Sequence, residues 1–204
     1  MIRIDTLVLG RYQSNCYIVR DSASQSCAVI DPGYEAGKIL AHVEKLGLTI
    51  DAVLLTHGHF DHVGAVEEIV TATGCKLWMR ESDWSQPNSP MHNYLFPLAN
   101  CDFTEVLFCE DFEEISAGGL TFRVWETPGH TWGSVCYFCQ DALFSGDTLF
   151  AGSCGRTDLP GGDWKTIQNS LARLAELESD YRIYPGHGSS TTLKTEKRAN
   201  PYMK

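Results

Sequence analysis

The segment Thr56-His57-Gly58-His59-Phe60-Asp61-His62 packs three imidazoles and a carboxylate into six consecutive positions. The chain has seven histidines in 204 residues, so an H-x-H-x-D-H string has odds of roughly one in two thousand of arising anywhere by composition alone. Donors packed that densely are hard to explain except as metal ligands, which makes the question one of which metal chemistry. Alternation along an extended loop puts His57 and His59 on one side, where they can grip one ion. Asp61 and His62 come later, where a helix begins, and can address a second ion nearby.

Working outward, Asp51-Ala-Val-Leu-Leu55 reads as a short apolar strand with the ligand segment leaving its C-terminal end. Strands are expected before it at 2–9, 14–20 and 26–31, ended by turn signals at Gly10, Asp21 to Ser24 and Asp31-Pro-Gly33. A helix over 35–46 shows Ile39, Leu40, Val43 and Leu46 on one face, with Gly47 as its stop. Val66, Ile69 and Val70 keep helical spacing to about 73, and 75–79 is a strand. Residues 82–104 are irregular, and their aromatics (Trp84, Tyr94, Phe96) suit either a substrate wall or ordinary packing. Further strands follow at 106–108, 112–115, 120–126, 134–139 and 141–145. Asp163 caps a helix whose Ile167, Leu171, Leu174 and Leu177 face the core; Arg182-Ile-Tyr184 is the last strand, and a short helix covers 191–198. Both halves place strands before helices, an α/β pattern.

Ligand sites in such proteins collect at the carboxyl ends of strands. Three more segments fit: Glu126-Thr-Pro-Gly-His130, Leu143-Phe-Ser-Gly-Asp147 and Tyr184-Pro-Gly-His187-Gly. A lone His after Pro-Gly is usually a turn residue, and only coexistence with the 57–62 cluster raises these to ligand candidates. His130 and His187 could complete one coordination sphere each. Asp147, with two oxygens, suits a bridge between ions about 3.5–4 Å apart. His42, on a surface helix, and His92, in the irregular stretch, read as solvated or structurally satisfied.

The apolar fraction of 43% is ample for a sizeable core, and no run approaches the roughly 18 apolar residues a membrane-spanning helix needs. The N-terminal stretch alternates like a strand and lacks the marks of a signal peptide, so a cytoplasmic location is expected. The eight cysteines are scattered and expected as thiols. Cys136 and Cys139 form C-x-x-C within a strand, where residues three apart face opposite ways, which favours core over zinc. A net charge of −10 argues against nucleic acid and anionic membranes as partners.

The motif set resembles the metallo-β-lactamase superfamily, through Asn15-Cys-Tyr, Val29-Ile-Asp31-Pro-Gly, Thr56 to His62, Thr127-Pro-Gly-His130-Thr, Ser145-Gly-Asp147 and Pro185-Gly-His187-Gly. Phe150-Ala-Gly-Ser-Cys-Gly-Arg156-Thr-Asp158 and Glu196-Lys-Arg-Ala-Asn200-Pro are similar to its short, glyoxalase II-like branch. The resemblance implies a four-layer αβ/βα sandwich spanning 1–204 as one domain. It also implies two divalent ions, zinc by default with iron or manganese suited to the same ligands. His57, His59 and His130 would hold the first, Asp61, His62 and His187 the second, and Asp147 would bridge. Glyoxalase II proper has a further C-terminal helical region that holds glutathione, whereas seventeen residues follow His187 here. Lys194 and Lys197 are the remaining candidates for substrate carboxylates, or are a solvated helix face. Arg156 and Asp158 either line the entrance or pair with each other, and Cys154 is either a filler or a substrate contact.

The activity expected is hydrolysis of a thioester of the S-2-hydroxyacylglutathione kind, with Asp61 orienting the nucleophile. No Ser-His-Asp machinery is evident, and a thiolate leaves without a dedicated acid. Rival readings are a mononuclear iron persulfide dioxygenase using counterparts of His57, His130 and Asp147, a lactone or β-lactam hydrolase, and a non-catalytic metal module. The Pro-Gly-His187-Gly-Ser-Ser tail leans toward the hydrolase, and seven donors shared by two ions leave coordination open, unlike a structural site. The oligomeric state is not legible.

Overall fold

A computed structural model of the chain describes residues 1–84, 90–100 and 106–204, the side chains of 90, 92, 93, 99 and 100 aside. The strands β1 (Ile2–Leu9), β2 (Ser14–Asp21) and β3 (Ser26–Ile30) form an antiparallel meander. Then come α1 (Ala36–Lys45), β4 (Thr49–Leu54), α2 (Phe60–Val63), α3 (Val66–Thr73), β5 (Lys76–Met79), α4 (Glu81–Trp84), α5 (Pro90–Leu95) and β6 (Val106–Phe108). The order in this first sheet is β1-β2-β3-β4-β5-β6, with β3 through β6 parallel.

The second half contributes β7 (Glu114–Ala117), β8 (Leu120–Glu126), β9 (Val135–Cys139), β10 (Ala142–Gly146), a small hairpin β11 (Leu149–Phe150) and β12 (Ser153–Cys154), α6 (Trp164–Ala175), β13 (Arg182–Pro185), β14 (Thr191–Thr192) and α7 (Leu193–Ala199). Its sheet runs β14-β13-β10-β9-β8-β7.

Why four layers form is visible in the side-chain alternation of the central strands. In β2, Cys16 and Ile18 pack with Ile39 and Val43 of α1 and Val66 and Ile69 of α3, while Tyr17 and Val19 turn the other way toward Phe122, Tyr137 and Phe144 of the second sheet. In β9, Tyr137 and Cys139 join that inter-sheet core, whereas Cys136 and Phe138 pack with Ile167, Leu171 and Leu174 of α6. Strands apolar on both faces require a cover on each side, and the result is helix, sheet, sheet, helix. Cys136 and Cys139 thus lie on opposite faces, both buried as free thiols. Asp163 accepts from the Thr166 N–H at 2.8 Å, a cap worth about 1 kcal/mol.

Boundaries shift where backbone geometry overrides pattern. Glu35 is left-handed (φ 56°), so α1 starts at Ala36. Phe112 is left-handed (φ 64°), so the strand expected at 112–115 runs 114–117. Thr192 caps α7 through Thr195 N–H, moving that helix to 193. The stretch read as irregular holds α4, α5 and a 3₁₀ turn at Pro97–Asn100. His42 is half-buried 3.7 Å from Asp5, while the His92 side chain and Cys101 lie outside the described residues. Among the described residues no helix is long and apolar enough to cross a membrane.

Candidate metal centre

Every ligand candidate follows a strand at one edge of the sandwich: Asp31 after β3, His57 to His62 after β4, His130 after β8, Asp147 after β10 and His187 after β13. The parallel β10–β13 ladder breaks register between Phe144 and Gly146, where the chain turns toward Asp147. Gly186 must be glycine, because a Cβ there would stand 2.1 Å from Asp147 Oδ1 and 2.7 Å from His62 Cε1.

These donors form two adjoining groups. His57, His59 and His130 bring ring nitrogens within 4.8 Å of one another, as do the donors of Asp61, His62 and His187. Asp147 lies between the groups: Oδ1 is 3.4 Å from His62 Nε2, and Oδ2 is 3.5 Å from His130 Nε2 and 3.6 Å from His187 Nε2. All seven sequence candidates for ligation therefore meet at one place.

Ring orientation is fixed from outside. His130 Nδ1 donates to the Arg156 carbonyl at 2.8 Å and His187 Nδ1 to the Tyr12 carbonyl at 3.2 Å. His62 Nδ1 donates to Asp31 Oδ2 at 3.1 Å. Thr56 Oγ1 gives its own proton to Asp31 Oδ2 at 2.6 Å and so accepts from His57 Nδ1 at 3.0 Å. An Nδ1–H pinned outward leaves the Nε2 lone pair pointing inward, the tautomer a metal ligand needs. His59 is the exception, its Nδ1 facing His130 Nε2 at 2.9 Å.

The electrostatics suit a cation. Burial and the neighbouring imidazoles hold His57 far below the usual histidine range and His59 down to about 2, so both stay neutral donors. Burial also opposes charge on His62, but Asp147 and Asp31 overcome it and raise that imidazole to about 9. For Asp61, burial is outweighed by the hydrogen bond from His187 and the charge of His62, which bring it to about 2. Among the described residues, His57 Nε2, His59 Nε2 and Asp147 Oδ1 are buried with no hydrogen-bond partner. Each such orphan costs about 1–3 kcal/mol, a cost that coordination to a divalent ion removes, and imidazole with carboxylate is the donor set borderline ions prefer.

Three residues to which the sequence reading gave no role support the site. Asp31, read there as a turn, is left-handed (φ 51°) and fully buried, and accepts from Thr56 N–H, Thr56 Oγ1 and His62. A strained backbone that aims one carboxylate at the ligand His62 and at Thr56, which holds the ligand His57, is typical of a functional site. Asn15 Nδ2 donates to the carbonyls of Pro185 and Gly188, both at 2.9 Å, and clamps the His187 loop. Asp83, 2% exposed, accepts from Gly58 N–H at 2.9 Å, Gly133 N–H at 2.7 Å and Thr131 Oγ1 at 2.8 Å. It ties the His57–His59 loop to the His130 loop, and a Cβ at Gly133 would meet it at 2.7 Å.

Residues 9–187 match the family model described as the Metallo-beta-lactamase superfamily. The chain belongs to that superfamily. It is 35% identical over 99% of its length to the hydroxyacylglutathione hydrolase GloC of Haemophilus influenzae, covering 98% of that protein. Among solved structures, TTHA1623 in a di-iron-bound form superposes with a TM-score of 0.83 at 37% identity over 97% of this chain and 99% of that one. ETHE1 from Myxococcus xanthus gives 0.81 at 29% identity over 98% and 83%. The αβ/βα sandwich of this superfamily member is thus the one its motifs led us to expect.

A cleft of about 390 Å³ opens over the donors, lined further by Tyr12, Phe60, Leu95, Phe150, Leu159 and Arg156. Arg156 does both things left open in the sequence: it lines the entrance and pairs with Asp158 at 2.6 and 2.7 Å. Cys154, half-buried, also borders the cleft. Tyr94 packs against Phe60 and Phe96 against His59, both with tilted rings, while Trp84 is partly buried against the helix-covered core of the first sheet. Lys194 and Lys197 are not brought to the cleft. They line a separate depression with Glu178 and Asp180, and Lys197 Nζ donates to the Leu177 carbonyl. The reason is helical: α7 buries Leu193 and Glu196 and turns the lysines away.

Proposed function

We propose that this superfamily hydrolase cleaves thioesters, S-2-hydroxyacylglutathione being the reference substrate, with two divalent ions held by His57, His59 and His130 and by Asp61, His62 and His187, and with Asp147 between them. Zinc is the first choice for that donor set. The observation that supports the reading is that both donor groups are assembled side by side with Asp147 between them, an arrangement two ions would fill. Ions bound there supply a water of lowered pKa and positive charge for the acyl oxygen.

The chain's own residues do the rest. Asp61 remains ionised at neutral pH and faces the cleft, where its carboxylate can accept a hydrogen bond from the attacking water and hold a lone pair toward the acyl carbon. His187, 3.2 Å from Asp61, fixes that carboxylate. Phe150, Leu95 and Leu159 exclude bulk water from the reacting centre. Attack on the thioester carbonyl breaks the C–S bond, and the departing thiolate is stable enough at neutral pH to need no proton donor.

Metal-loaded protein should release free thiol from S-D-lactoylglutathione, and a chelator should stop it. Absence of thiol release from every 2-hydroxyacyl thioester tried would overturn the reading.

A further inference from the structure

The rim of the cleft is aromatic. Tyr12 and Phe60 meet edge to face at 5.1 Å, and Tyr94 continues the row at 4.9 Å from Phe60. Tyr12 and Tyr94 are 51% and 60% exposed, so a ligand at the rim can reach them. Leu159 lies among the residues lining the same cleft. Among the described lining residues Arg156 is the single arginine or lysine, and its guanidinium is already held bidentately by Asp158.

Building on the thioester reading, we propose that the site selects thioesters whose thiol arm is uncharged and whose bulk is apolar or aromatic, held by the Tyr12–Phe60–Tyr94 row. A glutathione arm carries two carboxylates and one ammonium. Here those carboxylates meet one arginine whose Nε and Nη2 are already taken by Asp158, so they add little affinity. An aryl or alkyl arm desolvates against the ring faces instead, where stacking and apolar burial are both favourable. The hydrolytic step is unchanged, since the arm departs as thiolate whatever its substituents; what changes is which arms the protein gathers.

Inert thioethers test binding separately from turnover. Calorimetric titration of the metal-loaded protein with S-benzyl-N-acetylcysteamine and S-benzylglutathione should show the neutral compound binding at least as tightly. Changing Tyr12→Ala and Tyr94→Ala together should weaken it about three- to tenfold, with the melting temperature unchanged as a folding control. Tighter binding of S-benzylglutathione, binding of neither compound, or wild-type affinity in the double variant would overturn the proposal. Failure of thiol release would sink the thioester reading instead, and the thioether result would still report on the rim.

Discussion

Asp83→Ala removes a carboxylate that no ligand touches, yet it should loosen the metal centre. The side chain accepts from Gly58 N–H, Gly133 N–H and Thr131 Oγ1 at 2.7–2.9 Å in a site 2% exposed. After substitution Thr131 keeps Ser134 Oγ at 2.7 Å as a partner, so two backbone N–H groups are stranded. At about 1–3 kcal/mol each the loss is about 2–6 kcal/mol. Burial already raises the Asp83 carboxyl above its usual range, and removing a desolvated charge returns part of that. A net destabilisation of about 2–4 kcal/mol follows, or about 4–16 °C in Tm for a domain of this size. Because Gly58 sits between His57 and His59, and Gly133 lies three residues past His130, the first ligand group should lose about 10- to 100-fold in metal affinity. Thermal unfolding, together with competition against a chromophoric chelator, reads both quantities. Wild-type Tm and affinity in Asp83→Ala would refute the reasoning; a lower Tm with unchanged affinity would show that Asp83 supports the fold without positioning ligands.

Asp147→Asn should lower metal occupancy and reduce kcat/KM by about a hundredfold or more together, as measured by elemental analysis beside a thiol-release assay; an unchanged rate would remove Asp147 from the site. Lys194→Ala with Lys197→Ala should leave KM for an anionic thioester unaltered, since both line a depression apart from the cleft, and a raised KM would restore them as substrate contacts. Metal loading at pH 7.5 should expel about one proton or more. In the metal-free fold His62 is raised to about 9, so its charge stabilises that fold fully below its unfolded value near 6.5 and progressively less as pH rises through 9. Metal must displace that proton, so affinity should climb with pH across this window; calorimetry in buffers of different ionisation heat reads the release, and none, or uptake, would contradict it.

What was legible in the sequence is what sequence spacing itself encodes. The 57–62 cluster announces itself because its donors are local; the four layers came from the family resemblance, and the structure shows their cause in β2 and β9, which send apolar residues toward two different covers. His130, Asp147 and His187 were readable from the residues as strand-end candidates and took their ligand roles from the family resemblance; the β10–β13 register sets Asp147 beside the His187 loop. Asp31 looked like a turn because its value depends on Thr56 and His62, 25 and 31 residues away. Asp83 sat in a stretch without periodicity, and its partners Gly58 and Gly133 lie 25 and 50 residues off. The lysines of α7 were misplaced for the converse reason: charge is visible in sequence, but the direction a short helix turns it is set by which face packs.

Metal stoichiometry of the purified protein, read beside oxygen uptake, tests the dinuclear hydrolytic centre most directly. Two equivalents of a divalent ion per chain, thiol released from S-D-lactoylglutathione and no oxygen consumed are the expected result. One equivalent of iron, with oxygen consumed on glutathione persulfide and no thioester cleaved, would contradict it.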